Sequence, residues 1–565
     1  MRQVPRDPGS VGETDPKGKG FGNHRPVKEP HVATVTDILE VRSPYDGSLL
    51  DTLPLQGPEV LDSLVERASQ AQRAWARTSW EERRRLFLEA RRRVLGRARD
   101  LARQMAAEQG KPWVEAVSSD VVPTLEALAF MGNQAQEILS PENLPHRLPH
   151  LAAKQTRLVY DPIGVVAIIS PWNFPLSIPA IQTVTALAAG NAVILRPSTS
   201  TPLVARMFVE LLEEAGFPQG LLQLLVCRTS VAEQLVSHPG VGCVCFTGSV
   251  EVGRRIMELA AREPKKAVLE LGGKDPALVF ADADLERAAR GCTWAAFFNA
   301  GQACASIERV YVQREVLPAF LERVEGLIRQ IRLGDPLRDD VDMGPMTTES
   351  GASKVMAQVD QARLQGARLL TGGSRQGRLV QPVLLTDVDH SMEVMRLETF
   401  GPVMPVMAFD SEDEAVALAN DSGYGLTASV WTTDRQRGRR VAARLRAGSV
   451  TLNDHAIAFA EGALPWGGPR PSSVGRTHGR FGLLEMVEPK AITEDWSRYP
   501  GQLWWFPYDR AGQQVLMASL PAVFGVGLGA RLAGLLKMTP ALPHVARHSD
   551  LGKVLAALPR RWREP

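Results

Sequence analysis

The chain is poor in cysteine: five thiols, at positions 227, 243, 245, 292 and 304, stand among 565 residues. An odd handful, with no secretory signal at the start, argues against a disulfide framework and fits a reducing, cytoplasmic setting. Charge of one sign is also missing. Lysine and arginine number 65 against 63 acids, a net of +2, so the chain as a whole has no field that would gather nucleic acid. The ten histidines form no HExxH and no paired Cys/His spacing, and no metal is expected. Internal repeats are absent. In the tail, an uncharged and mostly apolar run of sixteen residues falls short of the ~20 of a spanning helix. That run, 515–530, is broken by Pro521, Gly525, Gly527 and Gly529. It suits peripheral membrane contact through 515–536, a lid over a substrate tunnel, or simple packing.

What is present belongs to a globular protein: 44% apolar and 23% charged residues, in a chain long enough for two or three packed units. Residues 1–30, rich in Gly, Pro and charge, read as a flexible arm. Apolar spacing over 60–109 predicts two amphipathic helices, with the run Arg83-Arg84-Arg85 on a solvated face. From 163 to 246, short apolar runs at 163–169, 192–195, 221–226 and 241–246 alternate with helical stretches. Strands apolar throughout, joined by helical crossovers, predict a parallel sheet covered on both faces, which binds nucleotides at its strand ends. A second α/β pattern follows over 277–450, with a strand at 310–312 and a helix at 317–331.

Four motifs carry chemistry. Pro171-Trp172-Asn173-Phe174-Pro175 follows the first strand, where two prolines fix an amide able to donate to an oxyanion; alone, Asn173 reads as readily as a turn residue. Phe246-Thr247-Gly248-Ser249, leading to Gly253, sits between strand and helix and could face a phosphate, or merely turn the chain. Leu269-Glu270-Leu271-Gly272-Gly273-Lys274 sets a carboxylate in an apolar run, which raises its pKa toward that of a general base, unless Lys274 pairs with it. Phe298-Asn299-Ala300-Gly301-Gln302-Ala303-Cys304 places a thiol among small residues, where it is either inert core or a nucleophile awaiting a base.

In this order, with Glu270 and Cys304 34 residues apart, the motifs resemble the aldehyde dehydrogenase superfamily. The similarity continues through Leu397-Glu398-Thr399-Phe400-Gly401-Pro402, Gly423-Tyr424-Gly425-Leu426-Thr427, Asn453 and Pro465-Trp466-Gly467-Gly468, over about 35–508. The resemblance implies an α/β fold with a Rossmann-type cofactor domain (31–140 and 160–270), a catalytic domain (271–479) and a small β oligomerisation arm (141–159 and 480–498). A C-terminal extension, 499–565, follows. It implies a homodimer or homotetramer that oxidises an aldehyde with NAD or NADP. Cys304 would attack the carbonyl, Asn173 with the Cys304 N–H would hold the oxyanion, and Glu270 would activate the water that hydrolyses the thioester. Ser170, Trp172, Arg196, Ser198, Thr199, Gly248, Ser249, Gly253, Glu398 and Phe400 would contact the cofactor. Trp466 and Phe459 are candidates for the pocket wall.

The chain departs from the family's pattern in places. A usual Lys-Pro-x-Glu is here Arg196-Pro197-Ser198-Thr199. Loss of the acid and gain of a guanidinium favour the 2′-phosphate of NADP, with NAD still open. Gln182 and Thr477 replace a lysine and a glutamate of a proton relay, and extra prolines at 469 and 471 alter the segment after Trp466. Rival readings are transfer of the thioester to coenzyme A, which Glu270 opposes, and a silent scaffold, which the intact Cys304, Glu270 and Asn173 oppose.

Overall fold

The computed structural model describes residues 37–146, 148, 151–496, 501–502 and 504–548. The expected arm at 1–30 lies outside them. The five-residue run Val165–Ile169 is buried at every position, which requires partners on both edges and cover on both faces. It lies between Ala192–Arg196 and Cys243–Thr247, parallel to both. The full six-strand order is Ser473–Val474, Lys266–Glu270, Cys243–Thr247, Val165–Ile169, Ala192–Arg196, Leu222–Leu224, and only Ser473–Val474 runs antiparallel. The chain winds one way from Val165–Ile169, then returns to its other edge at Cys243–Thr247. The loops leaving these two adjacent strands therefore splay apart and open a crevice at their carboxyl ends.

A seven-stranded sheet is built alike, in the order Arg368–Thr371, Val383–Thr386, Val403–Phe409, Ile307–Gln313, Asp275–Val279, Thr427–Trp431, Ser449–Leu452. Only Arg368–Thr371 is antiparallel there. The strands expected at 163–169, 192–195, 221–226, 241–246 and 310–312 are all present within a few residues, and the helix expected at 317–331 is Leu317–Ile328. Four residues, 271–274, connect the two sheets, so Glu270 ends one sheet directly before Asp275 starts the other.

The stretch 60–109 forms three helices, not two: Leu61–Trp75, Trp80–Gly96 and Ala98–Gln109, the last two parted at Arg97 (ψ 13°). Arg83 also corrects the solvated-face expectation. It is buried, and its guanidinium donates to the carbonyls of Ala188, Trp75 and Ala76, tying the helices to the sheet's crossover helix. Arg84 and Arg85 do face water. Gln155–Pro162 pairs antiparallel with Glu142–Leu144 and Val487–Glu494 in a small three-stranded sheet. Beyond it, helices Arg510–Phe524, Leu528–Met538 and Leu542–His548 close the described chain. Among the described residues no helix is long and apolar enough to cross a membrane.

Candidate active site

Cys304 sits on a turn with unusual backbone. Helix Leu285–Phe297 ends, and Asn299 (φ 54°), Ala300 (φ 53°) and Gly301 (φ 68°) all adopt left-handed conformations. Two non-glycine residues in that region store strain that the surroundings must hold. They are held by buried amides. Asn299 Nδ2 donates to the carbonyls of Asn173 (3.0 Å) and Gln302 (3.1 Å), Gln109 Nε2 donates to Asn299 Oδ1 (2.9 Å), and Gln302 Oε1 accepts from the Thr347 N–H. A Cβ at Gly301 would stand 2.2 Å from the Gly401 carbonyl oxygen, and one at Gly273 the same distance from that of Cys304. The glycines let three strand-end loops close on one thiol.

Asn173 is 3% exposed, and its Nδ2 donates to Gln302 O at 3.2 Å, two residues before Cys304. Its loop is anchored from below by an ion pair the sequence reading missed. Lys111 Nζ donates to the Asn173 carbonyl (2.8 Å) and to Asp120 Oδ2 (2.7 Å). Asp120 Oδ1 in turn accepts from the N–H groups of Leu176 and Ser177 and from the Ser177 hydroxyl. Both partners are fully buried, so removing either would leave an uncompensated charge. The available signal was Gly110-Lys111-Pro112 directly after a helix, with Gly110 at φ 103°.

Glu270 is buried at the end of its strand, and its pairing with Lys274 does not occur. Lys274 Nζ binds Glu308 Oε2 at 2.5 Å instead. Glu270 Oε2 accepts from Ser473 Oγ at 2.7 Å, while Oε1 makes no hydrogen bond among the described residues. Burial pushes this carboxyl well above the usual carboxylate range, opposed by Ser473, Arg476 and the Thr477 backbone. Gly467 (φ 126°) passes so near that a Cβ would meet Glu270 Oε1 at 2.8 Å. Between Glu270 and Cys304 lies a cavity of about 20 Å³, also lined by Gln182, Thr247, Thr477 and His478. That is room for about one water molecule. Gln182 Nε2 donates to Thr247 Oγ1 there. The Cys304 thiol itself is pushed far up by burial and by the carboxylates of Asp275, Glu398 and Glu270.

Two larger chambers meet at Cys304. One, of about 400 Å³, is lined by Trp172, Asn173, Gly248, Ser249, Glu398 and Phe400 among others. Trp172 and Phe400 meet edge to face at 5.7 Å. Glu308 accepts from the N–H groups of Thr399 and Phe400, fixing the loop in which Phe400 takes φ 54°. Glu398 Oε1 accepts from Gly273 N, and burial and Glu308 raise its pKa to about 7. Ser249 caps helix Val250–Ala260, turning that helix's N-terminus toward the chamber. The second chamber, of about 290 Å³, is walled by Phe174, Trp294, Phe298, Phe459 and Trp466 with Ala303 and Ala305.

The remaining predicted cofactor contacts stand away from the first chamber's wall. Ser170 donates its N–H to the Arg196 carbonyl and keeps a buried hydroxyl without a hydrogen bond among the described residues. Arg196 Nη2 donates to Cys227 O, with its Nε likewise unpartnered among them. Ser198 Oγ accepts from Ser200 N, and Thr199 is half-buried beside it. Gly253 lies inside its helix, where a Cβ would strike Leu271 at 2.5 Å, so it sets helix packing. Unsatisfied polar atoms at strand ends and glycine-lined backbone fit a dinucleotide lying across the crevice. Among the described residues no cluster of His, Cys, Asp and Glu could hold a metal.

A thiol, a desolvated carboxyl and an amide gathered where a nucleotide-type crevice meets an apolar chamber define a class of oxidoreductase. The model of the aldehyde dehydrogenase family matches residues 31–492, and the chain belongs to that family, whose members oxidise aldehydes with NAD or NADP. It is 37% identical over 484 residues to a 4,4'-diapolycopene aldehyde oxidase of a Methylomonas species, covering 86% of this chain and 91% of the relative. A solved NAD-dependent aldehyde dehydrogenase from Sinorhizobium meliloti superposes with a TM-score of 0.80 at 34% identity, over 84% of this chain and 94% of that one. An NADP-dependent enzyme of E. coli gives 0.78 at 33% identity, over 81% and 95%.

Proposed function

We propose that the chain oxidises apolar aldehydes to carboxylic acids by a hydrolytic route through Cys304. The observation that carries the route is the water-sized cavity walled by both Cys304 and Glu270. The Cys304 sulfur adds to the carbonyl carbon, and the charge moved onto oxygen meets the backbone N–H of Cys304 and the Asn173 amide. One N–H of that amide already fixes its orientation by binding Gln302 O. The thiol holds its proton tightly, so attack needs an acceptor, and Glu270, on the wall of the same small cavity, has an oxygen without a hydrogen bond among the described residues. NAD or NADP in the crevice lined by Trp172, Gly248, Ser249, Glu398 and Phe400 would supply the hydride acceptor, and Cys304 would hold the acyl group as a thioester. Glu270, once it has passed the thiol proton to solvent, takes a proton from a water in the small cavity as that water's oxygen adds to the thioester carbon, and the proton returns to the sulfur as the C–S bond breaks and the acid leaves. A cavity of that size, walled by a carboxyl able to act as base, supports hydrolysis over transfer to coenzyme A.

The substrate class rests on the aromatic chamber. Five aromatic rings and few polar atoms reward hydrocarbon burial at about 25 cal/mol per Å². One relative is named for 4,4'-diapolycopene aldehyde. The small antiparallel sheet, with Leu144 and Ile492 exposed, supports assembly into a homo-oligomer through that arm. Five free thiols suit a reducing cytoplasm. Linear aldehydes of graded length, assayed with NAD and with NADP, test the reading. The expected result is a kcat/KM that rises with chain length, and acid as the product even when coenzyme A is added. A preference for short polar aldehydes, or formation of acyl-CoA, would overturn it.

A further inference from the structure

The family match ends at 492, so the helices from Arg510 onward lie beyond it. Their charge differs from that of the rest. From Arg510 to the end the sequence holds eight lysines and arginines against two acids, although the whole chain nets only +2. The part before Arg510 is therefore net negative. Between Arg510 and His548 there is no acid at all, and Arg510, Arg531, Lys537 and Arg547 supply four cations.

Leu528–Met538 folds back on Arg510–Phe524 as a hairpin. The two backbones touch at Gly534, where a Cβ would lie 2.2 Å from the Ala522 nitrogen, and Arg531 Nε ties the turn by donating to Gly525 O. Val515, Ala522, Val523 and Met538 fill the inside. The outside stays apolar. Met517 and Leu520 on the first helix and Leu528, Leu532 and Leu536 on the second are exposed, the last three at four-residue spacing along one stripe. Val526, between two glycines at the turn, is 96% exposed. An exposed leucine stripe with an apolar tip of this kind marks a docking face.

We propose that this hairpin is a monotopic membrane anchor for an anionic lipid surface. Helices of 15 and 11 residues are too short to span, but a stripe of leucines with a glycine-flanked tip can lie in the headgroup layer. Lysine and arginine without acids match anionic headgroups, each such cation adding to attraction that salt screens. The same excess opposes a second copy of the hairpin, which would bring like charge to the contact. The anchor stands apart from the substrate reading: an enzyme of short aldehydes could carry it equally.

The test is co-sedimentation of the full chain with phosphatidylcholine vesicles, with and without about one quarter phosphatidylglycerol. Binding to the anionic vesicles is expected, at least about tenfold weaker on neutral vesicles or in high salt. Val526→Glu, Leu536→Glu and Lys537→Glu should each weaken it several-fold while turnover of a short water-soluble aldehyde is kept. No vesicle binding, or equal binding by all three variants, overturns the proposal. So does a change in mass by sedimentation velocity in the variants with vesicle binding untouched, since the stripe would then join copies of the chain.

Discussion

The two chambers that meet at Cys304 are built on opposite plans. On the crevice side the apolar walls of Trp172, Leu271 and Phe400 are interleaved with backbone and fixed polar groups: Gly248, Gly272, the capped start of Val250–Ala260, and Glu398 tied to Gly273, in a loop held by Glu308. On the other side they are aromatic rings, with Phe459 meeting Phe174 at a tilt and Trp466 and His478 edge to face, at ring distances of 5.1 to 5.6 Å. The first surface suits a ligand with a fixed hydrogen-bond pattern. The second suits one whose only common property is hydrocarbon. A family can thus keep one half while the other is redrawn, and the groups proposed to react sit on the seam, where Asn173 and Glu270 reach from the first sheet and Cys304 from the second.

The strongest test of the seam is Glu270→Gln, which keeps the shape and removes the base. Loss of general-base help should lower steady-state turnover by about 100- to 10,000-fold. Because Glu270 also takes the thiol proton in the proposed route, the NAD(P)H burst should slow as well; a burst of unchanged rate and amplitude would confine Glu270 to the water step. Because burial raises the Glu270 pKa, its basic form grows as pH rises, so wild-type turnover should climb through that pKa on the alkaline side of the usual carboxylate range. A pH profile for the Gln variant that still shows the same climb would assign it elsewhere. Asn173→Ala should cost about 100- to 1,000-fold in kcat, with KM for the aldehyde nearly unchanged, since the oxyanion forms only after attack. A change confined to KM would place Asn173 in binding rather than in the chemistry.

Much of this was legible in the sequence, for identifiable reasons. Strands buried on both faces, such as Val165–Ile169, write themselves as unbroken apolar runs. Cys304, Glu270 and Asn173 stand in glycine- and proline-marked turns, where local chemistry constrains the residue type. What was not legible is what acts at a distance. Arg83 looked like one of three solvated arginines, because nothing local says that its guanidinium would meet the Ala188 carbonyl 105 residues on. Lys111 and Asp120 lie on separate elements, and their grip on the Asn173 loop exists only once the helices pack. Glu308 was hidden in a strand, and only the structure shows it, rather than Glu270, taking Lys274.

The smallest expected effect tests the crevice plan at its far end. Thr199 follows the strand Ala192–Arg196, beside an Arg196 whose Nη2 is spent on the Cys227 carbonyl. If this corner receives the adenosine ribose, what distinguishes NAD from NADP there is a hydroxyl against a doubly charged phosphate. A carboxylate at 199 would accept from ribose hydroxyls and repel the phosphate, while the threonine does neither strongly. Thr199→Glu should therefore shift the ratio of kcat/KM for NAD over NADP about tenfold toward NAD, roughly 1.4 kcal/mol, modest because the corner is open to solvent and screened. Neither sheet nor thiol is touched, so turnover at saturating NAD should hold. An unchanged ratio would mean that the ribose lies elsewhere, and that specificity on the crevice side is set by backbone alone.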